Sequence, residues 1–64
     1  MSEQTKIQMQ DHTGRWVTVA STLPSEQLMW LKLQSVQQAY KRNVRAVDKN
    51  GIVLQFSPYI SGVV

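Results

Sequence analysis

With 64 residues, no cysteine and one histidine, the chain has room for one small domain and has no disulfide or thiolate metal site to staple it. A chain of this size buries only about 60% of the surface its unfolded form exposes, so self-association or a partner is expected to supplement the core. Seven Lys and Arg against four Asp and Glu give a net charge of +3, which attracts phosphate weakly and is too small to define a nucleic-acid protein by itself.

The opening Met-Ser-Glu-Gln-Thr-Lys lacks the apolar core of a signal peptide. No apolar run approaches the roughly 20 residues that a membrane-spanning helix requires. These features point to a cytoplasmic protein without membrane segments. Residues 1–64 are expected to form a single domain, with 1–5 flexible and 58–64 an apolar tail.

The first organised element is a β-hairpin around Asp11-His12-Thr13-Gly14, and the same Asp-x-x-Gly pattern returns at Asp48-Lys49-Asn50-Gly51. Asp suits the first position of a type I turn, and Gly at the fourth accepts a positive φ, which makes a three-residue loop closed by a glycine bulge. In the first hairpin this turn predicts Met9 opposite Val17 and Ile7 opposite Val19 on one face. Gln8 opposite Thr18 and Gln10 opposite Trp16 then lie on the other.

Pro24 fits a first helical turn and Glu26 the positive end of the helix dipole, so a helix is expected from about residues 23–25 to 41–43. Thr22, Leu23 and Ser25 compete for its N-cap. Met29, Leu33, Val36 and Tyr40 recur at helical spacing and form the stripe that covers the sheet. Leu28, Trp30 and Leu31 lie off that stripe. They are explained either by intramolecular cover or by a contact with a second copy, for which the small Ser35 and Ala39 leave room.

The second hairpin, in the same turn geometry, puts Ala46 opposite Leu54 and Val44 opposite Phe56, with Ile52 on that apolar face. Val47 opposite Val53 and Arg45 opposite Gln55 lie behind it. Reading Asn50-Gly51 as a two-residue type I′ loop instead would bring Arg45 and Lys49 to the face of Leu54 and Phe56, which is costly for cations, so the bulged turn is preferred. The fold class is therefore α+β: two hairpins flanking one helix, ββαββ, with an antiparallel sheet covered on one face. The tail from Ser57 to Val64 carries no charge. It either folds back over the helix or adds to a neighbouring sheet edge.

Catalytic chemistries fail for want of parts. A nucleophilic triad needs a base, and His12, the one candidate, falls in a turn. Paired carboxylates would come from Glu3, Asp11, Glu26 and Asp48, of which both aspartates are accounted for by turns. One histidine among scattered acids supplies no metal set, and no phosphate-binding loop or dinucleotide fingerprint is present. The chain reads as a non-enzyme without cofactor or metal.

Two binding readings remain. The open face of the sheet should present Trp16 with Arg15, Arg45, Val47 and Val53, residue types suited to a protein partner. Lys41, Arg42, Arg45 and Lys49 form a basic cluster that could instead meet nucleic acid, with Trp16 stacking on a base. Helix-end cations and edge lysines also arise without a ligand.

The runs Gly14-Arg15-Trp16-Val17-Thr18-Val19 and Val44-Arg45-Ala46-Val47-Asp48-Lys49-Asn50-Gly51, on either side of a central helix, resemble short proteins encoded by bacteriophages and prophages. The similarity covers residues 5–57 and rests on strand and turn grammar. It implies a small protein that binds a host factor and blocks or redirects it.

Overall fold

The computed structural model describes residues 4–60. Its elements run β1 (Thr5–Gln10), β2 (Trp16–Thr22), α1 (Glu26–Tyr40), β3 (Val44–Val47) and β4 (Val53–Ser57). The strands form one antiparallel sheet in the order β2-β1-β3-β4, with the helix packed on one face. The ββαββ class is thus the observed one. Because β1 and β3 are antiparallel neighbours at the centre, the two hairpin turns lie at opposite ends of the sheet.

Both turns have the expected chemistry. The Asp11 carboxylate accepts from the Thr13 and Arg15 backbone N–H groups, each at 2.9 Å, and from the Thr13 hydroxyl at 2.6 Å. Asp48 accepts from the N–H groups of Asn50 and Ile52 at 2.8 and 2.9 Å. In each loop the glycine N–H closes the turn on the aspartate carbonyl at 3.0 Å. Gly14 and Gly51 take φ of 90° and 83°, the left-handed backbone that glycine adopts without steric cost. Asn50 keeps a negative φ, so the two-residue type I′ alternative does not form. The hydrogen bond from the Thr13 hydroxyl, followed by those from the backbone, holds the Asp11 carboxyl below its ordinary range.

The register follows these turns only as far as a β-bulge in each outer strand. In the first hairpin Gln10↔Trp16, Met9↔Val17 and Gln8↔Thr18 pair as expected, and the register then shifts so that Ile7 faces Ala20 rather than Val19. Val19 and Ala20 both pack against the core, so the extra residue adds apolar surface on the helix side. In the second hairpin the shift comes sooner. Val47↔Val53 pair as expected, but Ala46 faces Gln55, Arg45 faces Phe56 and Val44 faces Ser57. The expected pairs of Ala46 with Leu54, Val44 with Phe56 and Arg45 with Gln55 are therefore corrected. An extra residue in one strand exchanges the faces of everything beyond it.

The core is Ile7, Met29, Leu33, Val36, Val44 and Ala46, with Met9, Val19 and Ala20 at its margin. Ile7 and Leu33 are fully buried, each worth about 1.5–3 kcal/mol in transfer terms. Tyr40, expected on the same helical stripe, is exposed at the helix end. Thr5 is the first residue of β1 and is 1% exposed, so the expected flexible segment does not extend to it. Residues 1–3 and 61–64 of the expected flexible segment and tail lie outside the described residues.

Ser25 is the N-cap, in an extended conformation with φ −109° and ψ 127°, and its carbonyl accepts the first helical bond from Met29 N–H at 2.8 Å. Pro24 precedes the cap instead of opening the first turn. At the other end Lys41 caps the helix in the left-handed conformation, φ 57° and ψ 49°, with its N–H on the Gln37 carbonyl at 2.6 Å. That site ordinarily favours glycine.

These backbone positions predict substitutions of opposite sign. A Cβ at Gly51 meets no atom within 4 Å, so Gly51→Ala tests the dihedral alone and should lower the unfolding free energy by about 1 kcal/mol. Lys41→Gly should raise it by about 0.5–1 kcal/mol, the relief of left-handed strain less the added chain entropy. Urea denaturation of both variants checks the pair; equal stability of Gly51→Ala and the parent would contradict the turn geometry.

Candidate binding face

The sheet face opposite the helix gathers its side chains around Arg45. From β3, Arg45 donates through Nε to Oε1 of Gln8 on β1 at 2.8 Å. Gln8 in turn donates through Nε2 to the Thr18 hydroxyl on β2 at 3.3 Å. The Arg45 guanidinium carbon lies 4.3 Å from the centre of the Trp16 ring. Phe56 of β4 meets the same indole edge-on, with centroids 6.2 Å apart and ring planes at 73°. One contact group thus reaches across β2, β1, β3 and β4.

The local causes are readable. Trp16 starts β2 one residue after the Asp11 turn, opposite Gln10, and leans across β1 toward the sheet centre. Arg45 and Gln8 are directly paired on the central strands. Phe56 reaches this face because the bulge in β4 turns it away from the helix. A guanidinium over an indole is worth about 0.5–1 kcal/mol where water has access, and an edge-to-face aromatic pair about as much. Trp16 and Arg45 are half-buried and Phe56 is 49% exposed, so the group is ordered yet accessible.

The other expected contact residues are distributed differently. Arg15 is exposed at the end of the turn beside Trp16. Val53 is exposed on the open face but pairs with Val47 at the far turn, roughly 7–10 Å along the strands from Arg45 and Phe56. Val47 is 3% exposed and has no surface to offer a partner, which corrects its expected role. Phe56, paired with Arg45, stands beside the Trp16 ring instead. Sequence reasoning missed Phe56 because no glycine or proline marks the bulge at Leu54 and Gln55.

The basic residues do not form one patch. Lys41 and Arg42 precede β3, at the end of the sheet where Gln10 N–H bonds the Asn43 carbonyl at 2.9 Å, and Arg15 lies at that same end. Lys49 is in the opposite turn, about 16 Å further along the strand direction. Arg45 is engaged by Gln8 and Trp16. On the helix, Leu28, Trp30 and Leu31 are all exposed but do not share one face. Trp30 lies on the same flank as Gln37, seven positions later, and Gln37 bonds Ser57 of β4 through both amide atoms at 3.0 Å. Leu28 is on the opposite flank and Leu31 points outward.

His12 is exposed in the first turn, and the Asp11 and Asp48 carboxylates are taken up by backbone N–H groups. Among the described residues no three His, Cys, Asp or Glu side chains gather as a metal set, and no helix is long and apolar enough to cross a membrane. Comparison with family models, curated proteins and solved structures finds no match.

A double-mutant cycle measures the central contact. Trp16→Ala and Arg45→Ala, alone and together, should give a coupling energy of about 0.5–1 kcal/mol in chemical denaturation. A coupling indistinguishable from zero would mean that the stack is not held in solution.

Proposed function

We propose that this domain is a non-enzymatic binding module that engages a protein partner with the open face of its sheet, anchored by Trp16, Arg45 and Phe56. The observation that carries this reading is the stack of Arg45 on Trp16 with Phe56 edge-on to it, on a face that the helix does not cover. Trp and Arg are the side chains most enriched at interface hot spots. Their mutual contact and the bond to Gln8 fix their rotamers before binding, which reduces the entropy lost on association. Exposed Thr18 and half-buried Gln10 surround them with neutral groups that desolvate at modest cost.

Nucleic acid is the less favoured ligand for two reasons. One side of the Trp16 ring already carries the guanidinium, and Phe56 stands edge-on, so the aromatics offer no pair of parallel platforms for successive bases. The cations that would meet phosphates are split between the two ends of the sheet. The resemblance to short phage and prophage proteins makes a host factor, encountered in the host cytoplasm and blocked or redirected by binding, the expected partner.

The test is affinity capture from host lysate with the parent protein and with Trp16→Ala and Phe56→Ala, followed by titration of the purified partner. Each variant should retain the helix and sheet signature by circular dichroism and lose about 2 kcal/mol or more of binding free energy. Equal affinity of parent and variants would exclude this face. Tight binding of a single-stranded oligonucleotide that weakens steeply with salt, and weakens further in Lys41→Ala or Arg42→Ala, would replace this reading with the nucleic-acid one.

A further inference from the structure

β4 is an outer strand, bonded to β3 along one side. Its other edge presents main-chain N–H and C=O groups with no strand partner among the described residues, the usual template for pairing with another chain. Natural edges are commonly protected by charge, by a covering element or by extreme shortness. This one has little of such protection. Residues 50–60 contain no charged side chain, although the whole chain carries +3. The helix rests on β1, β2 and β3 and meets β4 through Gln37 and Ser57 at one end.

The following residues do not cover the edge either. Tyr59 N–H bonds the Asn43 side-chain carbonyl at 2.8 Å, and the Asn43 amide donates to Gln10 at 3.0 Å. After Ser57 the chain therefore turns inward across the end of the sheet, toward β1, and among the described residues none lies along the outer side of β4.

Apolar surface is concentrated in this same segment. Ile52, Val53, Leu54, Phe56, Tyr59 and Ile60 are between 37% and 69% exposed. At about 150–200 Å² for a side chain of this size, half exposed, they offer on the order of 500 Å², with Val53 and Phe56 on the open face beside the edge and Tyr59 and Ile60 past its end. A standard stable interface buries about 800 Å² on each partner, and the strand backbone supplies much of the difference. The other outer strand, β2, is less suited, since Thr18, Ser21 and Thr22 interrupt its apolar residues.

We propose that the outer edge of β4 is a homodimer interface, along which two copies pair their β4 strands antiparallel about a two-fold axis near Gln55 and Phe56. A second copy is the occupant these features fit. An edge centred on its own mid-strand meets itself residue for residue, and across residues 50–60 that self-pairing opposes no cation to a cation. The two sheets become one continuous sheet. Trp30, on the helix flank that faces β4, gains cover from the neighbouring edge. Leu31, pointing outward from the helix, lies away from the contact. Phe56 borders both surfaces, but the dimer rests on the main-chain edge of β4 and on Leu54, neither of which anchors the open face, so either assignment can fail without the other.

Sedimentation equilibrium of the purified protein from micromolar to millimolar concentration tests it, with Leu54→Lys and Leu31→Lys alongside. The expected result is a parent dimer, a Leu54→Lys monomer with retained circular dichroism, and a Leu31→Lys dimer. A parent that stays monomeric throughout overturns the proposal, as does a dimer that survives Leu54→Lys. Hydrogen exchange of the parent gives a reading independent of any variant. Protection of amides between Leu54 and Ser57 should rise with protein concentration, and protection that is the same at all concentrations contradicts the interface.

Discussion

Pairing register is the constraint on which the other features of this domain depend, because a strand alternates its faces at every residue and one extra residue reverses all that follow. The two Asp-x-x-Gly turns start both hairpins identically. Gln10↔Trp16 and Val47↔Val53 occupy equivalent places beside their turns. The hairpins then diverge, since the bulge follows the first of these pairs in β4 and comes two pairs later in β2. The later bulge gives Val19 and Ala20 to the core. The earlier one sends Phe56 to the open face and leaves Gln55 and Ser57 on the helix side.

What was legible in the sequence is what local chemistry decides. Asp11 and Asp48 each need a cluster of N–H donors, and Gly14 and Gly51 permit the φ that closes such a turn, so the hairpin loops could be read residue by residue. The helix was legible through the spacing of Met29, Leu33 and Val36, and its end through the exhaustion of that pattern near Lys41. The bulges were not legible. They fall at Val19 and Leu54, ordinary strand residues that no glycine, proline or turn pattern marks. The candidate site inherits this division. Trp16 and Arg45 lie on the open face as the turn geometry predicts, whereas the same geometry puts Phe56 in the core and Val47, which is buried, on the surface.

The same register explains how a chain of this size divides its apolar residues. A single helix covers the central strands and the inner part of β2, enough to bury Ile7, Leu33, Val44 and Ala46, and meets β4 at its end, through Gln37 and Ser57. Small domains meet this shortage with staples or with association. Here the central strands are further tied by side chains: Gln8 joins Arg45 to Thr18, and Asn43 joins Gln10 to Tyr59. These bonds order the open face and the sheet end without adding to the apolar core, which leaves aromatic and guanidinium surface ordered yet accessible.

The open face depends on the β4 bulge, which turns Phe56 away from the helix and onto Trp16. Nuclear Overhauser contacts in the folded protein test this most directly. The prediction is cross-peaks between the Phe56 ring and the Trp16 indole, together with backbone contacts of Arg45 with Phe56 and Ala46 with Gln55. Cross-peaks from Phe56 to Leu33 or Val36, with Val44 facing Phe56, would show the unbulged register and contradict it.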